Sequence, residues 1–290
     1  MNTNELLKKI QKLEIKTKGL TKQVFSGEYH SAFKGRGMAF SEVRDYHLGD
    51  EVRTIDWNVT ARFNSPFVKI FEEERELTVM LIIDVSGSEE YGTTEKSKKD
   101  LALEISAVLA FSAISNNDKV GAIFVSDQVE KYIAPDKGRK HALIILRELI
   151  EFVPKSKGTN LNEALKFFRN TQKKRSISFV ISDFIDSNDF MEGLKVSKKK
   201  HDMVAIRVND KAEYELPKMG LIQLFNAETG VKTWVNTNSP IVREKYANDF
   251  KASEQKMFTD FKKSGIDFAS ISTTDNFIKP LTVLFQQRGR

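Results

Sequence analysis

Five polar residues in three separate segments of the chain have the oxygen donors of a metal site. The first segment reads D-V-S-G-S and supplies Asp84, Ser86 and Ser88, whose alternate side chains can converge on one point of a tight turn. Thr159 and Asp183 belong to the other two segments. Carboxylate and hydroxyl oxygens are hard ligands, so the pattern predicts a site for Mg²⁺, or for Mn²⁺ or Ca²⁺, and not for copper or zinc.

Each of these polar groups also has an ordinary structural explanation. Asp and Ser are common in turns and helix caps, so the segment that begins at Asp84 could be only a turn. Thr159 could cap the helix that starts near Leu161, and Asp183 could cap the helix that follows it. Asp186 is a rival for the third segment's ligand, but it lies beyond the apolar run that Asp183 directly follows.

The elements that must position these residues alternate between strand and helix from residue 77 onward. The run LTVMLIID at 77–84 is continuously apolar, as in a strand buried on both faces. Further strands are predicted at 120–126, 128–133, 177–183, 203–208 and 266–272, helices at 95–116, 138–152, 161–172, 187–199, 241–264 and 276–287, and a hairpin at 221–235. This order predicts an α/β fold: a doubly wound, mostly parallel sheet with helices on both faces. Ligands of such sheets bind beyond the carboxyl ends of strands, where strand order reverses, and the candidate metal ligands occur at strand ends.

The candidate ligands resemble the metal-ion-dependent adhesion site of von Willebrand factor type A domains. That pattern is D-x-S-x-S, then a Thr, then an Asp, on three successive loops; Asp84, Ser86 and Ser88 match the first loop, Thr159 the second and Asp183 the third. The residue after the last Asp is Phe, where many relatives have Gly. The resemblance implies hydroxyls as direct ligands, one carboxylate held through water, and a sixth ligand from a Glu or Asp of a partner protein. It implies adhesion and not catalysis.

A second pattern precedes the first strand. Between residues 33 and 76 the chain reads G-R-G…F-S-E-x-R-x-Y…G-D-x-x-R-x-I-D-W…A-R, followed by E-E-E-R. This looks like the domain of unknown function 58 family, and the resemblance implies a partner ATPase of the MoxR type of AAA+ proteins. We expect two domains: residues 1–75, with a helix at 4–16 and an irregular, β-containing arm that carries the signature, and residues 76–290, the von Willebrand factor type A-like domain.

The arm is dense in charges of both signs with aromatic residues among them. The residues concerned are Arg36, Arg44, Asp50, Arg53, Asp56, Trp57 and Arg62. We expect Arg–carboxylate forks half-buried against aromatic rings. The alternative is a docking surface for the partner.

Composition excludes several classes of protein. The chain has 290 residues and no cysteine, so disulfides and thiol catalysis are excluded. Its four histidines form no H-E-x-x-H pair, and it has no G-x-x-x-x-G-K-[ST] loop, so neither a zinc hydrolase nor a P-loop ATPase is expected. No apolar run reaches the roughly 18 residues of a membrane span. The charged start does not resemble a signal peptide, so we expect a cytoplasmic protein.

The net charge is +6 and is unevenly distributed. Residues 1–40 contain eight basic and three acidic residues, whereas residues 41–76 contain five basic and nine acidic ones. The basic N-terminal segment, residues 1–40, could contact nucleic acid. No helix-turn-helix, zinc finger or stacking-aromatic motif accompanies it, so nucleic acid is not the expected partner.

The sequence predicts a metal-dependent protein-interaction module that serves as adaptor or co-factor of a MoxR-type AAA+ ATPase in the assembly of protein complexes. We do not expect an enzyme. Two alternatives stay open: a Mg²⁺- or Mn²⁺-dependent phosphoester hydrolase, in which Ser86 or Asp186 assists, and a nucleic-acid-binding protein that uses the basic N-terminal segment.

Overall fold

The computed structural model of the chain describes residues 39–63, 65–72, 76–87, 97–156, 158–186, 188–225 and 232–288. The described residues form two compact units, with the border between Leu77 and Thr78. The predicted helix at 4–16 and two of the candidate site residues, Arg36 and Ser88, lie outside the described residues. The domain division at residues 75 and 76 stays a prediction.

The first unit is a two-stranded antiparallel sheet with a helical connection. Strand β1, Ala39–Asp45, pairs with β2, Phe67–Glu72. Between them lie a 3₁₀ turn at Val52–Thr54 and helix α1, Trp57–Phe63. The sequence predicted only short strands and turns here, so α1 is a correction. Seven residues are too few to show a helical apolar period, and the capping carboxylate of Asp56 defines the start of this helix instead.

The second unit contains the larger sheet and its helices. Its elements are β3 Thr78–Asp84, α2 Lys98–Ser115, β4 Lys119–Val125, β5 Val129–Asp136, α3 Arg139–Glu151, α4 Leu161–Thr171, β6 Ile177–Ser182, α5 Phe190–Lys198, β7 Asp202–Asn209, β8 Leu221–Phe225, β9 Lys232–Asn236, α6 Pro240–Lys263, β10 Asp267–Ser272 and α7 Ile278–Arg288. The strand order is β10-β7-β6-β3-β4-β5, and β8 and β9 form a separate hairpin. All neighbours in the six-stranded sheet are parallel except β4 and β5.

The core lies on both faces of this sheet. On one face, Met80 and Ile82 of β3 belong to a buried cluster that includes Phe168 of α4 and Phe261 of α6. On the other face, Phe179 of β6 contacts Phe285 of α7, with ring centroids 6.2 Å apart. Strand β3 is therefore covered on both sides, which explains its unbroken apolar sequence. The predicted α/β class, with a mostly parallel sheet and helices on both faces, is confirmed.

Strand order reverses between β3 and β6. The chain runs from β3 outward through β4 to β5, then returns to β6 on the other side of β3 and continues through β7 to β10. The last residue of β3 is Asp84, and Asp183 directly follows β6. Because β3 and β6 are paired in parallel, both carboxylates lie at the same edge of the sheet, where folds of this kind bind ligands.

The predicted hairpin is present as β8 and β9, although its turn at 228–230 lies outside the described residues. Within the described part of the chain, no helix has both the length and the apolar character that crossing a membrane requires.

Candidate metal centre

The carboxylate of Asp84 is buried and held in one orientation. Its side chain is only 2% exposed. Oδ1 accepts a hydrogen bond from the backbone N–H of Ser86 at 2.9 Å, and Oδ2 accepts one from the hydroxyl of Ser182 at 2.7 Å. Ser182 in turn accepts from the backbone N–H of Phe184 at 2.9 Å, so the end of β6 orients the residue that ends β3. Ser86, the second predicted ligand, is fully buried beside it.

Asp183 is the second buried carboxylate, with 1% of its surface exposed. Oδ1 accepts from the backbone N–H of Ile185 at 3.0 Å, and Oδ2 accepts from the ammonium group of Lys98 at 2.6 Å. It does not cap the next helix, because the N-cap of α5 is Asp189, whose side chain accepts from Met191 N. The capping explanation for Asp183 is therefore wrong.

The backbone turns sharply directly after Asp183. Phe184 has φ 58°, a left-handed conformation that is costly for a bulky residue and natural for Gly. Its ring is buried and contacts Phe190 and Phe261 at centroid distances of 5.5 and 5.4 Å. The chain thus keeps a turn suited to Gly, and aromatic packing offsets the strain of placing Phe there.

Thr159 has a buried hydroxyl that lacks a hydrogen-bond partner within the part of the chain that the structure describes. Its side chain is 5% exposed, and Oγ1 has no hydrogen bond to any of the described residues. Thr159 is not a helix cap: Asn160 caps α4 by accepting from Glu163 N at 3.2 Å, and Asp186 accepts from Leu161 N at 2.8 Å. The capping explanation for Thr159 is wrong. Asp186, the rival of Asp183 as the third segment's ligand, instead accepts a hydrogen bond at the start of α4.

A buried hydroxyl without a partner among the described residues, at the edge where Asp84 and Asp183 lie, fits a metal ligand. Such a group costs about 1–3 kcal/mol when it lacks a hydrogen bond, so nearly all buried hydroxyls have a partner. The loop that carries Thr159 is attached to the same edge of the sheet, since the backbone N–H of Asn160 donates to the carbonyl of Ser126, directly after β4, at 2.8 Å. A cation bound at this edge would supply the partner that Thr159 lacks.

The site combines few carboxylates with several hydroxyls. Burial, and next the nearby carboxylate of Asp183, raise the pKa of Asp84 to about 7, while hydrogen bonds from Ser182 and Ser86 oppose the rise. Among the described residues, no three His, Asp or Glu side chains gather in a group that could hold a metal ion. A metal ion at this edge would therefore need the hydroxyls of Ser86 and Thr159 as well as the two carboxylates. That donor set suits Mg²⁺ or Mn²⁺.

Two residues at this site were missed by the sequence analysis. The ammonium group of Lys98, the first residue of α2, lies between Asp183 and Glu213, with Nζ 2.6 Å from a carboxylate oxygen of each. Glu213 comes from the short turn Lys211–Glu213 that follows β7. The sequence feature that could have pointed to Lys98 is a lysine at the start of a helix, where the helix dipole disfavours a positive charge.

A groove with a volume of about 610 Å³ opens beside Asp183 and reaches helix α6. Ile185, Met191, Phe250 and Met257 contribute apolar surface to it. A larger cavity of about 900 Å³ lies between β10 and α7, and none of the candidate ligands lines it. The groove beside Asp183 is therefore the one relevant to a ligand at this edge.

The charged residues of the first unit divide into paired and exposed ones. Arg44 and Asp50 form the expected fork, with Nη1–Oδ2 at 2.8 Å and Nη2–Oδ1 at 2.7 Å. Hydrogen bonds from Arg44, and next from the backbone of His47, lower the pKa of Asp50 to about 2. Asp56 caps α1 and, among the residues that the structure describes, pairs with Lys69 at 3.4 Å and not with an arginine.

The three other predicted arm residues that the structure describes are not half-buried against aromatic rings. Trp57 is 65% exposed, and Arg53 and Arg62 are exposed too. The expectation of burial is wrong for these three: Trp57 and Arg62 lie on α1 with exposed side chains, and Arg53 lies in the 3₁₀ turn that precedes α1. The docking alternative stays a prediction.

Comparison with known proteins places the chain in a family. A family model described as "Protein of unknown function DUF58" matches residues 42–256. An uncharacterized protein of Mycobacterium tuberculosis is 28% identical over 283 residues, covering 97% of this chain and 89% of that protein, and an uncharacterized protein of Mycobacterium bovis matches equally.

Two solved structures resemble the chain more distantly. An aerotolerance-related membrane protein from Bacteroides fragilis is 15% identical, with 73% of this chain and 99% of that chain covered and a TM-score of 0.49. The VWA domain of SpRpn10 is 12% identical, with 73% and 95% covered and a TM-score of 0.41. Since the family model spans more than half of the sequence, the chain belongs to the DUF58 family, as its N-terminal pattern predicted.

Proposed function

We propose that the chain is a protein-interaction module that depends on a divalent metal ion bound where strand order reverses. The observation that supports this most is the buried hydroxyl of Thr159, which has no hydrogen bond to a described residue and lies at the edge of the sheet that carries Asp84 and Asp183. A chain that only needed to fold would gain stability from an apolar residue at this position. Mg²⁺ is the ion we propose, with Mn²⁺ or Ca²⁺ as substitutes.

The hydroxyls and the carboxylates have different proposed roles in binding the ion. The hydroxyls of Ser86 and Thr159, together with that of Ser88, are proposed as direct ligands. The carboxylates of Asp84 and Asp183 supply charge, and Ser182 fixes the orientation of Asp84. When bound, the ion supplies a Lewis-acidic centre for an oxygen anion. Because neutral hydroxyls make up much of the ligand set, the ion keeps attraction for a further carboxylate, which we assign to a Glu or Asp of the partner.

The surface beside the site can hold the residues next to such a partner carboxylate. Ile185, which is 43% exposed, lines the groove together with Met191 and Met257. Flexible methionine side chains adapt to different apolar partners. We propose a MoxR-type AAA+ ATPase as that partner, with a role in assembling protein complexes; this choice rests on the family resemblance.

The substitution Asp84→Asn tests the proposal with little change of shape. The amide oxygen can still accept from Ser86 N, and the amide N–H can donate to Ser182 Oγ. We expect the wild-type chain to bind Mn²⁺ in calorimetry with a dissociation constant of about 10⁻⁶–10⁻³ M, the range of open oxygen sites. Asp84→Asn should lose this binding, and with it the metal-dependent capture of the purified ATPase, while its circular dichroism spectrum stays unchanged. Full partner binding by Asp84→Asn would show that the metal plays no part.

A further inference from the structure

Lys98 occupies a place that is unfavourable for a lysine in two respects. It is 1% exposed, and lysine is almost never fully buried unless it is paired. It is also the first residue of α2, where the positive end of the helix dipole repels a cation. Both costs fall on one side chain, and the ion pairs that it forms, among them those with Asp183 and Glu213, must offset them.

The ammonium group of Lys98 bonds to the carboxylate oxygen on which a metal ion would act. Nζ lies 2.6 Å from Oδ2 of Asp183. The other oxygen of Asp183, Oδ1, is held by the backbone N–H of Ile185. A divalent ion drawn to Asp183 must therefore share Oδ2 with the ammonium group or replace it there.

Glu213 gives the ammonium group a second fixed partner. Its Oε1 lies 2.6 Å from Nζ, while its Oε2 accepts from the backbone N–H of Asp210 at 3.3 Å. Asp210 is itself fully buried and held by Ala212 N at 2.9 Å and by the hydroxyl of Thr273 at 2.7 Å. Glu213 is therefore a rigid acceptor that can still bind the ammonium group of Lys98 when Asp183 binds another cation.

We propose that the positive charge of Lys98 sets the metal affinity of the site. Its ammonium group competes with the divalent ion for Asp183, and it stays bonded to Glu213 when the ion binds. The inference rests on the proposed function. It predicts opposite effects for the two partners. Removing the charge of Lys98 leaves the buried carboxylate of Asp183 and the partly buried carboxylate of Glu213 without this cation, so metal binding strengthens. Removing the charge of Glu213 ties Lys98 to Asp183, so metal binding weakens.

Calorimetric titration of the full-length chain with Mn²⁺ tests both directions. We expect Lys98→Met to bind Mn²⁺ at least about tenfold more tightly than the wild type, because a unit charge within a few ångströms of the ion is removed. Glu213→Gln should bind several-fold more weakly. The matched control is Lys99→Met, which removes the same charge from the next residue, whose ammonium group donates to the carbonyl of Phe152 at 3.0 Å; its affinity should equal that of the wild type.

A thermal melt with and without Mn²⁺ provides a second readout. Without the ion, Lys98→Met should melt below the wild type, and it should gain more stability from added Mn²⁺, since the ion replaces the lost cation. If Lys98→Met binds Mn²⁺ with wild-type or lower affinity while the wild type binds, the inference is overturned and the proposed function stands. If neither the wild type nor Lys98→Met binds Mn²⁺, both fail together.

Discussion

The variant Thr159→Val tests whether Thr159 binds the metal through its hydroxyl or is only a structural residue. Valine has nearly the same shape, so the change deletes one buried oxygen and little else. Since that oxygen has no hydrogen bond among the described residues, its removal should not cost stability. A buried hydroxyl without a partner costs about 1–3 kcal/mol, so the free energy of unfolding without metal should stay equal or rise by up to about 3 kcal/mol.

The effect on metal binding should have the opposite sign. Loss of a residue that only supports a metal ligand commonly weakens binding about 10–100-fold, so loss of a direct ligand should cost at least about tenfold. Urea unfolding without divalent ions measures the first quantity, and Mn²⁺ calorimetry measures the second.

Ser112→Ala is the control for Thr159→Val. Ser112 lies in α2 and also has a fully buried hydroxyl without a hydrogen bond to any described residue. Its removal should leave stability equal or higher, as for Thr159→Val, but it should not change Mn²⁺ affinity. A Thr159→Val chain that is clearly less stable than the wild type and binds Mn²⁺ equally well would refute the reasoning, because Thr159 would then be a packing residue only.

Two further predictions concern the carboxylate of Asp84 and the turn after Asp183. Because burial and Asp183 raise the pKa of Asp84 from 3.8 to about 7, the folded state favours its protonated form. Stability measured by thermal melts without divalent ions should therefore fall as the pH rises from 3.8 toward 7, and Asp84→Asn should remove this part of the slope; an unchanged slope would contradict the assignment. Phe184→Gly relieves a left-handed φ of 58° but deletes a buried ring. Relief of about 1–2 kcal/mol against a loss of about 3–5 kcal/mol should lower the free energy of unfolding in urea by about 2 kcal/mol, and a more stable variant would show that backbone strain outweighs packing.

The sheet and the ends of its strands could be predicted because their signals are local. The apolar run that ends at Asp84 is buried on both faces, and the run before Asp183 is its parallel neighbour. Once both were read as strands, topology alone required the two carboxylates to lie at one edge.

Features that depend on distant contacts were not predictable in this way. Lys98 and Glu213 are 115 positions apart, and nothing in either segment alone indicates that they meet. Trp57 was expected to be buried because it is aromatic, but its exposure is decided by the direction of α1, a helix too short to show a period. That Asn160, and not Thr159, caps α4 also depends on loop geometry that composition does not specify.

Crystals of the full-length chain soaked in Mn²⁺ and measured for anomalous scattering test the metal site most directly. We expect a single strong peak at the shared carboxyl end of β3 and β6, within bonding distance of the hydroxyls of Ser86 and Thr159. An absent peak at this edge, with manganese bound only at surface carboxylates elsewhere, would contradict it.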